Sequence, residues 1–236
     1  MVTRRIHQLP GFVKEAGNVC NENDGQLEMT MPQRNLRVYV DGFNLYHGIH
    51  ASSGRANLWL DLVALARSLR PQSHLEQVIY FTASILDDPD GASRQAAYQK
   101  ALLAQNSGLI TIVQGRYQKK RFKCKTCGAR TITYEEKETD VNIAVQLATD
   151  AAVSDADLLV ISADSDLAPA VRIIRLRYPN TFVAAAFPPQ RFSAHLQTLM
   201  PASFHIGDSK ITAAQLPDPV IDRTSGQPVR RPSYWS

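Results

Sequence analysis

Short apolar runs that stop at polar or acidic residues alternate along this chain with longer stretches of helical period. Leu36, Val38 and Val40 lead into Asp41, and Leu158, Leu159, Val160 and Ile161 lead into Ser162 and Asp164. Runs of this length, bounded by turn and helix signals, read as buried parallel strands. Further strands are predicted over 78–85, 109–113 and 181–186, and a β-pair within 118–134. Helices are predicted from near Asn44, over 58–69 with Leu58, Leu62, Leu65 and Leu69 as its stripe, and over 89–104 behind Pro89. Thr139 reads as the N-cap of another helix whose apolar face is Val141, Ala144, Val145, Ala148 and Ala152. A helix over 167–176 and a short one around Ala194 complete the set. Strands alternating with helices imply an α/β fold whose mostly parallel sheet is covered on both faces.

Residues 1–34, broken by Pro10, Gly11, Gly17, Gly25 and Pro32, read as an irregular N-terminal extension. Met29 and Met31, just before the first strand, mark an alternative start. Residues 35–206 read as the folded domain, and 207–236, rich in Pro, Ser and Asp, as an irregular C-terminal tail. At 44% hydrophobic and 20% charged residues, the composition is that of a soluble globular protein. No apolar run approaches the roughly 20 residues of a membrane helix, and no signal-peptide pattern is present, so a cytoplasmic location and no membrane partner are expected.

The net charge of +4 is unevenly spread. Arg116, Lys119, Lys120, Arg121, Lys123, Lys125 and Arg130 fall within about 116–134 with no acidic residue from Arg116 to Arg130. Such an excess suits a polyanion, most commonly a phosphate backbone, although a solvated surface loop has the same composition. Tyr117, Phe122 and Tyr134 lie among these charges, either to stack on unpaired bases or to face the core.

Four aspartates carry the chemistry. In open α/β sheets, ligands sit beyond the carboxyl ends of the strands, where Asp41, Asp164 and Asp166 fall. Asp140 opens a helix, with Glu135, Glu136 and Glu138 just upstream. Each has a plainer reading: an Asx-turn for Asp41, a helix cap for Asp166, a dipole contact for Asp140. Collected in one place they would repel one another unless a hard divalent cation sat among them. Ser162 and Ser165 are placed to hold the carboxylates or to position water. Mg²⁺ or Mn²⁺ in such a pocket suits phosphodiester hydrolysis, which needs no Ser or Cys nucleophile. His47 and His50 are read as surface or core residues. No G-x-x-x-x-G-K or G-x-G-x-x-G segment is present, which disfavours a nucleotide cofactor.

The segments V-Y-V-D-G-F-N-L-Y, K-E-T-D-V-N-I-A and I-S-A-D-S-D-L-A-P, in that order, resemble the NYN domain family in its LabA-like branch, within the PIN-like nuclease superfamily. The resemblance covers roughly residues 35–206. It implies a PIN-like three-layer sandwich with strand order 3-2-1-4-5, and a metal-dependent ribonuclease site. Asp41, Asp140, Asp164 and Asp166 stand at its acidic positions. Asn44 matches the Asn of the first motif, and Ser162 the small hydroxyl residue before the acidic pair. Ala163 departs from the Gly common in the family. Endonucleolytic cleavage of single-stranded RNA is the expected activity. The rivals are a non-catalytic RNA-binding or regulatory module that keeps the fold and, less favoured because position 39 is Tyr, a phosphatase.

Cys124 and Cys127, with Gly128 behind them, form a C-x-x-C that could supply half of a zinc site. His47, His205 or the same pair from a second subunit of a homodimer would complete it. A redox pair and a relic are the alternatives.

Overall fold

The computed structural model describes residues 33–123, 127–128 and 130–235, with backbone alone over 117–123 and 130–137. In chain order the elements are β1 (Asn35–Asp41), α1 (Gly42–Ser53), α2 (Leu62–Leu69), β2 (His74–Ala83) and α3 (Pro89–Gln105). There follow β3 (Ile110–Lys123), β4 (Arg130–Lys137), α4 (Thr139–Val153), β5 (Asp157–Ile161) and α5 (Ala168–Arg177). The chain then forms β6 (Val183–Phe187), α6 (Ala194–Leu199), β7 (Phe204–His205), α7 (Asp208–Ala213), β8 (Val220–Ile221) and β9 (Pro228–Val229). Short 3₁₀ turns lie at Ser165–Leu167 and Ser233–Trp235.

The main sheet has the order β4-β3-β2-β1-β5-β6-β7. All neighbours are parallel except β3 and β4, which form an antiparallel hairpin. Counting only β1, β2, β3, β5 and β6 in chain order, the arrangement is the expected 3-2-1-4-5. Alternation along β1 divides the core. Val38 and Val40 face a cluster with Leu45 and Ile49 of α1, Leu62 and Leu65 of α2, and Tyr98 of α3. Tyr39 faces the other, with Ile143 and Leu147 of α4, Val171 of α5 and Leu196 of α6. Both faces are therefore buried, and a strand buried on both faces carries the near-continuous apolar run seen in the sequence.

The β3–β4 hairpin pairs Arg116 with Lys137 through to Lys123 with Arg130, which extends the expected β-pair and makes it a continuation of the sheet's edge strand. The helix expected from Leu58 begins instead at Leu62. Asp61 accepts from the amides of Val63 and Ala64 and caps it, while Leu60 bridges to Gln215.

The phase of α4 corrects the sequence reading. Its buried face is Ile143, Leu147, Asp150 and Ala151, whereas Val141, Val145 and Val153 are exposed at 62%, 60% and 74%. Both stripes have helical period. The chosen one buries the larger Ile and Leu and lets Asp150 meet the fully buried Tyr39 hydroxyl at 2.7 Å and Arg37 at 2.9 Å. Thr139 is not the N-cap but the first helical residue; Glu138, at φ 76°, occupies the cap position.

The C-terminal stretch also differs from the expected irregular tail. It forms α7 and the β8–β9 pair, and it buries Ile211, Leu216, Val220, Val229 and Trp235 against the α2–α3 side of the core. These residues are spaced without helix or strand period, so only the surface they cover reveals their purpose. The extension expected over 1–34 lies outside the described residues except for 33 and 34. Among the described residues, no helix is long and apolar enough to cross a membrane.

Candidate active site

Parallel pairing of β1 with β5, in register at Val40 and Ile161, sets Asp41 beside Ser162 at the carboxyl edge of the sheet. Asp41 is buried, and both its oxygens are held: Oδ1 accepts from the Asn44 amide at 2.9 Å and Oδ2 from the Ser162 hydroxyl at 2.8 Å. The Ser162 oxygen in turn accepts the Asp164 amide at 3.0 Å. Asn44 Oδ1 accepts the Ala163 amide at 3.1 Å. Asn44 and Ser162 thus lace the start of α1 to the loop after β5. Asp164 Oδ1 accepts the Asp166 amide at 2.9 Å, so Asp164, not Asp166, caps the 3₁₀ turn. Asp166 is left exposed within that turn, and Ser165 is exposed beside it.

Gly42 makes this geometry sterically feasible. A Cβ there would lie 2.6 Å from both the Phe81 carbonyl oxygen and the Tyr80 ring. The first turn of α1 therefore lies directly on the end of β2, a close approach that only Gly allows.

Asp140, in the first turn of α4, lies within electrostatic reach of the other three aspartates. Its carboxyl is pushed up to about 6, first by burial and then by the charges of Asp164, Asp41 and Asp166. Desolvation and like charge both disfavour ionisation, and both act here although the side chain keeps contact with solvent. Arg116 pairs with Glu138 immediately before it.

Among the described residues, no three His, Cys, Asp or Glu side chains are drawn tightly enough together to clasp an ion. The cluster is open. Carboxylates are donors for hard cations, and Mg²⁺ retains several waters and takes only one or two carboxylates alongside substrate phosphates. The open cluster does not fit a closed zinc cage. Cys127 is exposed with a free thiol, and Cys124 lies outside the described residues, so the zinc reading has no support. Lys125 also lies outside them, as do the side chains of Lys119, Lys120, Arg121, Lys123 and Arg130 and those of Tyr117, Phe122 and Tyr134.

A second feature opens at the same edge, on the opposite face of the sheet. A cavity of about 240 Å³ lies between α1, the end of β2, α3 and the C-terminal turn, with Gly42, Phe43, Tyr46 and His47 among its lining residues. The sequence showed its aromatic residues only as scattered positions, because they are drawn from four separated segments. The one local signal was the Phe43–Tyr46 spacing after Asp41.

An α/β sandwich of this strand order, with acidic side chains gathered at the carboxyl ends of adjacent strands, defines a nuclease-type class of domain. The NYN domain model matches residues 35–204, and the chain belongs to that family. It is also similar to a protein named 6-hydroxy-3-succinoylpyridine 3-monooxygenase HspA from Pseudomonas putida (strain DSM 28022 / S16). The two are 29% identical across 84% of this chain and 74% of the other.

Proposed function

We propose that this protein is a metal-dependent ribonuclease of the LabA-like branch, cutting single-stranded RNA internally. The observation that carries the reading is the meeting of Asp41 and Asp164 at one sheet edge, tied through the Ser162 hydroxyl, with Asp140 and Asp166 within electrostatic reach of them. Four acidic groups from three separate segments at one sheet edge are a costly arrangement for structure alone and a useful one for a cation that meets phosphate.

Mg²⁺ or Mn²⁺ bound there would neutralise phosphate charge and ease ionisation of the attacking water. Asp41 serves as the fixed ligand, since Asn44 and Ser162 hold its carboxylate in one orientation. Asp140, Asp164 and Asp166 present the more accessible carboxylates to cation and water. The hairpin bearing Lys119, Lys120, Arg121, Lys123, Lys125 and Arg130 leads into α4 and guides the RNA backbone toward Asp140.

The test is Mg²⁺- or Mn²⁺-dependent cleavage of a labelled single-stranded RNA and of a circular RNA by the full chain. Asp164→Asn should lower cleavage at least about 10³-fold, and cutting of the circle shows internal action. RNA binding that survives the substitution, with no cleavage by either form under any divalent metal, would establish the non-catalytic RNA-binding module instead.

One observation favours a second reading. The aromatic cavity is of a size for a single ring, and the Pseudomonas relative is named for an activity on a hydroxypyridine. Oxygen uptake with that hydroxypyridine and a reductant, by a protein inactive on RNA, would establish this reading.

A further inference from the structure

The cavity beside α1 has the make-up of a ring-binding site. Its walls are Tyr80 from β2, Tyr98 from α3 and Trp235 from the C-terminal turn; Phe43, Tyr46 and Tyr234 also line it. The walls brace one another edge to face, with Tyr80 and Tyr98 centroids 6.2 Å apart and Tyr98 and Trp235 centroids 5.8 Å apart. Trp59 backs Trp235 at 6.4 Å. Tyr234 is held between two cations, Arg55 at 3.9 Å and Arg94 at 4.5 Å from its ring centre. The cavity is therefore built from rigid rings already packed in place.

Phe43, Tyr46 and Tyr234 are about half exposed, at 51%, 43% and 50%. The Tyr234 ring is covered by Arg55 and Arg94 and Tyr46 stacks on His50 at 5.8 Å, so the stacking surface at the mouth of the cavity comes from Phe43 and the remaining face of Tyr46. The polar lining comprises His47, Thr82, Gln95 and the Asp88–Arg94 pair at 3.7 Å. Thr82 Oγ1 accepts from Gln95 at 3.2 Å, which leaves its hydroxyl hydrogen for a ligand acceptor. His47 stands against Phe43 with ring centres 4.2 Å apart; burial first, and then Arg191 and His50, favour its neutral form. A neutral imidazole brings one donor and one acceptor. These are the groups that read the edge of a heteroaromatic ring.

Position gives the ring its identity. Gly42 lines the cavity and adjoins Asp41, so cavity and carboxylates lie on either side of the first turn of α1 at one edge of the sheet. A phosphate at the carboxylates would have its neighbouring nucleotide at that turn. The volume, about 240 Å³, is below the usual range for drug-sized ligands of roughly 300–1,000 Å³ and suits one ring system.

We propose that this cavity is a base pocket, receiving one purine or pyrimidine ring of the nucleotide that adjoins the phosphate held at Asp41, Asp140 and Asp164. The assignment rests on the ribonuclease reading and deepens it: cleavage depends on the base beside the scissile bond. Stacking on Phe43 and Tyr46 supplies affinity, and His47 and Thr82 supply preference among bases.

The experiment uses the full chain in EDTA and follows tryptophan fluorescence, since Trp235 lines the cavity and Trp59 backs it. AMP, CMP, GMP and UMP are titrated separately, with ribose 5-phosphate as the base-free control. At least one nucleotide should quench saturably while ribose 5-phosphate does not. Phe43→Ala and Tyr46→Ala, each checked for an unchanged circular dichroism spectrum, should weaken that binding at least about tenfold. Three results would overturn the proposal: no saturable quenching by any nucleotide, equal binding of ribose 5-phosphate, or tenfold tighter binding of a hydroxypyridine carrying a carboxylate chain than of all four nucleotides. No metal is present and no bond is cut, so the two readings fail separately. Saturable base binding by a protein that never cleaves RNA keeps the pocket and removes the nuclease. Cleavage without base preference or quenching does the reverse.

Discussion

The Ser162 hydroxyl donates to Asp41 Oδ2 at 2.8 Å, and both residues are buried. The same oxygen accepts the Asp164 amide, so a single side chain sets the spacing between the carboxylate that ends β1 and the acidic pair that follows β5. Ser162→Ala removes both bonds, one to a buried carboxylate and one from a backbone amide. The expected cost is about 1–3 kcal/mol in urea unfolding. RNA cleavage should fall about 10- to 100-fold, because Asp41 loses its fixed orientation. Cleavage at the wild-type rate would show that Ser162 is structural only.

Asp140 gives a pH prediction with a definite sign. Its carboxyl is raised in the fold, to about 6 from an ordinary value of 3.8. A raised carboxyl favours the folded state while protonated, and that contribution is lost as pH climbs from about 4 through about 6. The melting temperature of the metal-free protein, measured against Asp140→Asn at each pH, should decline across that window. Mg²⁺ should raise the melting temperature of the wild type more at pH 7 than at pH 5, and do so less for Asp140→Asn. A difference between the two proteins that stays flat with pH would remove Asp140 from the cluster.

Tyr39 and Asp150 tie the middle of β1 to the last turns of α4, the helix that begins with Asp140. Asp150 also receives Arg37, which is shared with Glu76 at 3.0 Å. Asp150→Ala leaves Arg37 and the buried Tyr39 hydroxyl without this acceptor and should cost about 3–5 kcal/mol. Tyr39→Phe should cost about 1–3 kcal/mol, since Asp150 keeps Arg37 and Gln146. A double-mutant cycle by urea unfolding should show coupling above about 0.5 kcal/mol; additive effects would mean that the two side chains do not interact.

Binding of RNA along a basic hairpin would release counterions and so weaken with salt. Replacing Lys119, Lys120 and Arg121 with Ala should lower RNA affinity and reduce the slope of log affinity against log salt by about 0.7 for each phosphate no longer neutralised. Fluorescence anisotropy with a labelled single strand measures it. An unchanged slope would place the RNA path elsewhere.

Much of this molecule was legible in the chain itself. Strands buried on both faces must be apolar throughout, so β1 and β5 stood out, and their acidic ends marked the candidate site before any geometry was known. The shared motifs supplied the strand order that brings Asp41 to Ser162 and Asp164. Local pattern failed where two solutions had equal period. The exposed Val141–Val145 stripe of α4 is as regular as the buried Ile143–Leu147 one, and the choice between them rests on the larger Ile and Leu side chains and on Tyr39 and Arg37, more than a hundred residues away, which donate to Asp150. The C-terminal segment has no single period, because Leu216, Val229 and Trp235 join one core cluster from separate short stretches. Residue type and spacing therefore determined which groups could do chemistry. Helix phase, the wrapped C-terminus and the aromatic cavity were decided only when distant segments packed, because burial is a property of the surface a side chain meets and not of its neighbours along the chain.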